Sequence, residues 1–206
     1  MHRLATLPGG WSADTDGVVL VEQTAAPIIF LTAADTDIQA IASALPQLPP
    51  HFPAIRVCNL RHLQQAWAID HYTEQVLSQA KVIVLRLLGG RSYWSYGLEV
   101  VKELAAQQPD LSLFVLPGDD RPDPELISQS TVPLNGAHQL WQYFAQGGVS
   151  NIQHGLAWVS NYGLGSSFKF DPVQQVAKVG IYVPPRGNLT QSLSTSQRLI
   201  PPLKNT

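Results

Sequence analysis

Cysteine occurs once in the 206 residues, at Cys58, and methionine once, at Met1. A single cysteine excludes an internal disulfide framework and any cysteine-based zinc site. Charge is scarce too. Charged side chains make up 14% of the chain, against about 25% in an ordinary soluble domain. Thirteen basic and fifteen acidic residues leave a net charge of −2, too little positive charge for a general nucleic-acid binder. No apolar run approaches the roughly 18 residues of a membrane span. The longest apolar run near the start, Val18–Val21, is flanked by Asp14, Asp16 and Glu22, which is not the pattern of a signal peptide. The six histidines show neither H-x-x-x-H nor H-E-x-x-H spacing, so no helical metal site is read from them. These absences together lead us to expect a cytoplasmic protein with no membrane span and no nucleic-acid partner. Sparse surface charge also suits a domain partly covered by neighbours.

What is present is a rhythm. Four apolar runs begin at Pro27 (PIIFL), Ala54 (AIRVCNL), Lys81 (KVIVLRLL) and Leu111 (LSLFVL), at intervals of 27, 27 and 30 residues. They barely alternate, as expected of strands covered on both faces. Cys58 sits inside the second run, where a buried, inert thiol is the expectation. Between the runs lie helical patterns. Asp35 is placed to cap Ile38, Ile41, Ala42 and Leu45. Residues 61–79 hold a looser helical stretch. Ser92 precedes Leu98, Val101 and Leu104, and Asp123-Pro124 combines an N-cap with a proline at the first helical position. Two more helices follow, marked by Leu134, Ala137, Trp141 and Phe144, then by Val149, Ile152, Leu156 and Val159, with Gly147-Gly148 as the break.

Strand–helix alternation at this interval predicts an α/β fold. It is a parallel sheet of four to five strands with flanking helices, flavodoxin-like or Rossmann-like, followed by a helical segment. KVGIYV at 178–183 is the candidate fifth strand. The predicted organisation is an N-terminal extension over 1–26, the α/β domain with its trailing helices over 27–183, and a disordered tail or linker over 184–206, which contains four prolines and no acidic residue.

In open parallel sheets ligands sit beyond the carboxyl ends of the strands, and three loops fall there. Thr32–Asp37 reads as a helix cap. Gly89-Gly90-Arg91-Ser92-Tyr93-Trp94-Ser95-Tyr96-Gly97 joins a tight turn to a helix start that can hold an anion. Its aromatic residues can stack on a flat ligand or a neighbouring domain, or pack within the fold. Its spacing matches neither G-x-G-x-x-G nor G-x-x-x-x-G-K-[ST], nor the G-x-S-x-G elbow. Pro117–Glu125 (PGDDRPDPE) carries four carboxylates within seven residues. One or two could serve a hard cation, or the segment is a turn in which Arg121 pairs with Asp119 or Asp120. The candidate ligand or interdomain face is therefore Gly89, Gly90, Arg91, Ser92, Tyr93, Trp94, Tyr96, Asp119, Asp120 and Arg121. No catalytic residue and no metal ligand is assigned. A non-catalytic binding module and an independent FMN- or nucleotide-binding enzyme stay open on the residues alone, the latter with only Thr32–Thr36 as a phosphate loop.

LRLLGGRSYWSYGLE (85–99) and LPGDDRPDPEL (116–126), with FLTAADTD (30–37) and LPGGW (7–11), resemble the N-terminal region of the CobN family, the large subunits of cobaltochelatase. The resemblance runs colinearly over about residues 1–183. It implies the tetrapyrrole-binding subunit of an ATP-dependent chelatase that inserts Co²⁺ into a corrin ring in cobalamin biosynthesis, with ATP hydrolysed by separate AAA+ partner subunits. The related magnesium chelatase large subunits are the second reading, and they usually lack the Gly-Gly-Arg-Ser-Tyr-Trp-Ser-Tyr phrase. Family members are several-fold longer. The resemblance thus implies a non-catalytic piece with no cofactor of its own, working with the remainder of the large subunit.

Overall fold

The computed structural model describes residues 20–176. Its centre is a sheet of four parallel strands: β1 (Ile28–Thr32), β2 (Ile55–Asn59), β3 (Val82–Leu87) and β4 (Ser112–Pro117), in the order β2-β1-β3-β4. Phe30 stands in register with Val57 on one side and Val84 on the other. Every residue of β1 and β3 is buried, which explains the unbroken apolar runs. This is the order of the first four strands of a flavodoxin-like sheet. The proposed fifth strand, 178–183, lies outside the described residues, as does the tail over 184–206. The outer edge of β4 is met by residues 130 and 131. Thr131 Oγ1 accepts from the Leu113 N–H at 2.9 Å, and Ser130 Oγ from the Val115 N–H at 2.8 Å. Hydroxyl groups here occupy edge positions that a further strand would use.

Among the described residues six helices cover the sheet: α1 (Asp35–Ala44), α2 (Ala66–Gln75), α3 (Ser95–Gln107), α4 (Pro124–Ile127), α5 (Leu134–Gln146) and α6 (Val149–Leu164). One core joins α2 and α3 to Ile29, Leu31, Ile83, Leu85 and Val115. The opposite core joins α1, α5 and α6 to Ile28, Phe30, Val84, Phe114 and Leu116. The alternation along each strand therefore feeds two apolar layers. Helix α6 lies so close to the sheet that a Cβ at Gly163 would come within 2.1 Å of Val82 Cγ2.

Two helix starts differ from expectation. The cap position of α1 is Ala34, not Asp35, and it makes no side-chain cap bond. Thr32 Oγ1 takes the Ala34 N–H instead, at 3.1 Å. Ser92 does not cap α3. Residues Arg91–Trp94 form a 3-10 turn and the helix opens at Ser95, because the Trp94 indole folds back under the first turn. The loose stretch over 61–79 resolves into α2 between two 3-10 turns, Leu60–Leu63 and Leu77–Gln79. Asp123 does cap α4, accepting from the Leu126 N–H at 2.9 Å. Gly147 and Gly148 break α5 from α6 at φ +68° and +80°, where side chains are disfavoured.

Candidate functional site

The order of connections reverses between β1 and β3, so the crevice at their carboxyl ends is a topological switch point. A cavity of about 550 Å³ opens there, walled by Asp37, Leu88, Asp119, Asp120, Phe144 and the Gly147-Gly148 turn. A second groove of about 410 Å³ runs beside it, and in it the two motif loops meet. Gly89 and Gly90 face Asp119, Arg121 and Asp123. Asp119 lines both hollows.

Beneath the crevice lies a buried ion pair. Arg86 projects from β3 at 1% exposure, and its Nη1 donates to Asp37 Oδ1. Thr32 Oγ1 donates to Asp37 Oδ2 at 2.8 Å, and Arg86 Nη2 donates to the Pro117 carbonyl at 3.3 Å. The guanidinium also stacks over Phe144, 4.8 Å from the ring centroid. Burial pushes the Arg86 pKa down from its ordinary value, and the charge of Asp37 opposes that shift. The carboxyl ends of β1 and β4 and the start of α1 are thereby tied to one cation on β3. Arg86 is not among the candidate residues that the sequence marks. The signal was nevertheless present, because an arginine inside a doubly covered strand (KVIVLRLL) must find a buried partner.

The aromatic motif divides into inner and outer members. Trp94 is buried, and its Nε1–H donates to the Leu63 carbonyl at 2.9 Å. That bond locks the loop after β3 to the 3-10 turn after β2. Its indole lies over Gly97, where a Cβ would come within 2.1 Å of the ring. Tyr93 is half-buried against the same core. Tyr96 is exposed, with its hydroxyl 2.9 Å from both carboxylate oxygens of Asp70 on α2. Arg91 is exposed and pairs with Glu125 at 3.6 Å, while Ser92 sits in the exposed turn beside it. Gly89 and Gly90 have φ of +93° and +76°. In the acidic loop, Asp119 Oδ1 accepts the Arg121 N–H at 3.2 Å, and the Asp119 carbonyl accepts from Trp141 Nε1 at 3.2 Å. Asp120 and Arg121 are exposed. The structure thus brings Gly89, Gly90, Asp119 and Arg121 to one groove and Asp120 to the adjoining crevice. It draws Trp94 inward and turns Tyr96 toward α2. Cys58 is buried beside Tyr72, and burial pushes its thiol up to about 12.

No family model matches the chain. Two curated relatives do. The aerobic cobaltochelatase subunit CobN of Pseudomonas aeruginosa is 36% identical over 190 residues, 92% of this chain and 15% of that protein. By sequence, these residues belong to the CobN family. The CobN subunit of a Sinorhizobium species is 37% identical over 187 residues, 91% of this chain and 14% of its own length. The chain therefore spans about one seventh of the CobN relatives it matches. Among solved structures, the catalytic subunit of cobaltochelatase from Mycobacterium tuberculosis aligns with a TM-score of 0.59 at 26% identity, over 77% of this chain and 12% of that one. The CobN likeness takes in both motif loops. Their residues hold a CobN-type domain together at Trp94, Gly97 and Asp123, and form its outer strand-end face at Arg91, Asp120 and Arg121.

Proposed function

We propose that this chain supplies a docking domain of a cobaltochelatase large subunit. The enzyme inserts Co²⁺, its metal substrate, into a corrin ring at the expense of ATP, which separate AAA+ subunits hydrolyse. The observation that carries this reading is the identity of 36–37% to CobN subunits over nine tenths of the chain. The use of the motif residues supports it. Trp94, Gly97, Arg86 and Asp37 fasten loops to the sheet, which suits a domain that presents a rigid surface rather than one that carries out the insertion. The outer face, with Arg91, Asp120 and Arg121 around two strand-end hollows, is where the ring's peripheral carboxylates or the rest of the large subunit would be met. Arginine pairs well with carboxylates of either origin.

The test is association. The purified chain is titrated with a CobN polypeptide lacking the matched segment and, separately, with a corrin precursor. Saturable binding to at least one supports the reading, and binding to neither overturns it.

A further inference from the structure

Residues 166–176 follow the left-handed Gly165 cap of α6 (φ +65°) and form neither helix nor strand. Their backbone is nonetheless held along their length by side chains. Asn161 makes a paired contact with residue 168, donating to the Phe168 carbonyl at 2.7 Å and accepting its N–H at 2.8 Å. Asn151 repeats this at residue 174, donating to the carbonyl and accepting the N–H, both at 2.8 Å. Between them His154 Nδ1 accepts the Asp171 N–H at 3.2 Å. Tyr143 donates to the Asp171 carbonyl at 2.7 Å, and Gln146 Oε1 accepts the Val176 N–H at 3.2 Å. Asn151, His154 and Asn161 share one side of α6 by helical spacing, so the segment runs back along the helix as an extended peptide on a carboxamide ladder.

The segment buries little. Lys169, Phe170, Asp171, Pro172, Gln174, Gln175 and Val176 are exposed, and only Phe168 and Val173 give apolar side chains to the fold. Few apolar contacts mark the least stable units of a fold; of the segment's bonds, those of the Asp171 and Val176 N–H groups lie open to solvent and the others are partly buried. One member of the ladder also reaches elsewhere. The buried Asn151 Nδ2 donates to the Gly147 carbonyl at 2.9 Å, and Gly147 and Gln146 wall the switch-point crevice.

We infer that residues 166–176 are a detachable strap, and that Asn151 couples its seating to the Gly147-Gly148 wall of the crevice. When the strap lifts, Asn151 loses two of its three hydrogen bonds and its hold on Gly147 loosens. By linkage, whatever occupies the crevice and steadies that wall tightens the strap. The inference stands apart from the chelatase reading, since it uses only the internal geometry of the domain.

Hydrogen exchange of the full chain, read at single amides, tests it. In the wild type, the Phe168, Asp171 and Gln174 amides exchange faster than those of β1 and β3. Gln174→Pro removes one strap donor at an exposed position and leaves both apolar cores intact. It is expected to speed exchange at Gly147 and Ile152, which bond to Tyr143 and Gly148 in the turn, by about threefold or more. Asn151→Ala speeds the strap and the turn together by about tenfold. Asn161→Ala speeds Phe168 and leaves Gly147 unchanged. Strap amides exchanging as slowly as the sheet would overturn detachment. A Gln174→Pro effect confined to the strap would overturn the coupling.

Discussion

Asp37 and Arg86, 49 residues apart in sequence, form a buried, hydrogen-bonded ion pair at the wall of the switch-point crevice. Removing one partner of such a pair leaves an uncompensated buried charge, whereas replacing both does not. Asp37→Ala is expected to cost about 3–5 kcal/mol in chemical denaturation. Asp37→Ala with Arg86→Met should recover most of that loss. A double variant no more stable than the single one would show that the pair is not the source.

Trp94→Ala removes the indole from its buried seat and leaves the Leu63 carbonyl without its donor. The expected cost is about 3–5 kcal/mol. Gly97→Ala, which drives a methyl into the same ring, should also destabilise. Unchanged melting of both variants would mean that the motif does not lock the two loops.

Gly90→Val isolates backbone strain, because a Cβ at Gly90 meets nothing within 4 Å while φ is +76°. A loss of about 1–3 kcal/mol is expected. An unaltered melting temperature would show that the turn accepts another conformation.

Cys58 should resist alkylation in the folded chain at pH 8 and react fully in denaturant. Its folded pKa is raised from 9.0 to about 12, so the folded state keeps its proton where the unfolded state loses it. The stability this group contributes is complete below about pH 9 and declines as pH rises toward 12. Rapid native labelling at pH 8 would contradict its burial.

How far these features could be read in advance follows from what each depends on. The four strands were legible because burial on both faces leaves an unbroken apolar run, as in PIIFL and KVIVLRLL. Asp123 was legible as a cap because capping is local. The cap of α1 and the start of α3 were not. In the first, Thr32 two residues before the cap position takes the Ala34 N–H while Asp37 holds its hydroxyl; in the second, Trp94 folds back onto Gly97. The candidate face was legible as two loops at strand ends. Their meeting across one groove, and the Arg86–Asp37 pair below the neighbouring crevice, depend on β3 lying between β1 and β4, and strand order is not written in any local pattern. The ladder over residues 166–176 escaped notice because asparagines on a helix read as surface positions until their partners are known.

Arg91→Ala separates structure from contact. Its ion pair with Glu125 is exposed, and such pairs contribute about 0–1 kcal/mol, so the melt should scarcely move. Affinity for the remainder of the large subunit or for the corrin precursor should fall. Equal affinities in both titrations would remove Arg91 from the outer contact face.

The most direct test of the chelatase assignment is cobalt insertion by a Pseudomonas aeruginosa CobN whose matched 190-residue segment has been deleted. It is assayed with ATP and the ATPase subunits proposed above, with and without this chain. Insertion is expected only when the chain is added, and none by the chain alone. Turnover by the chain alone, equal insertion without it, or no rescue by a folded chain would contradict the assignment.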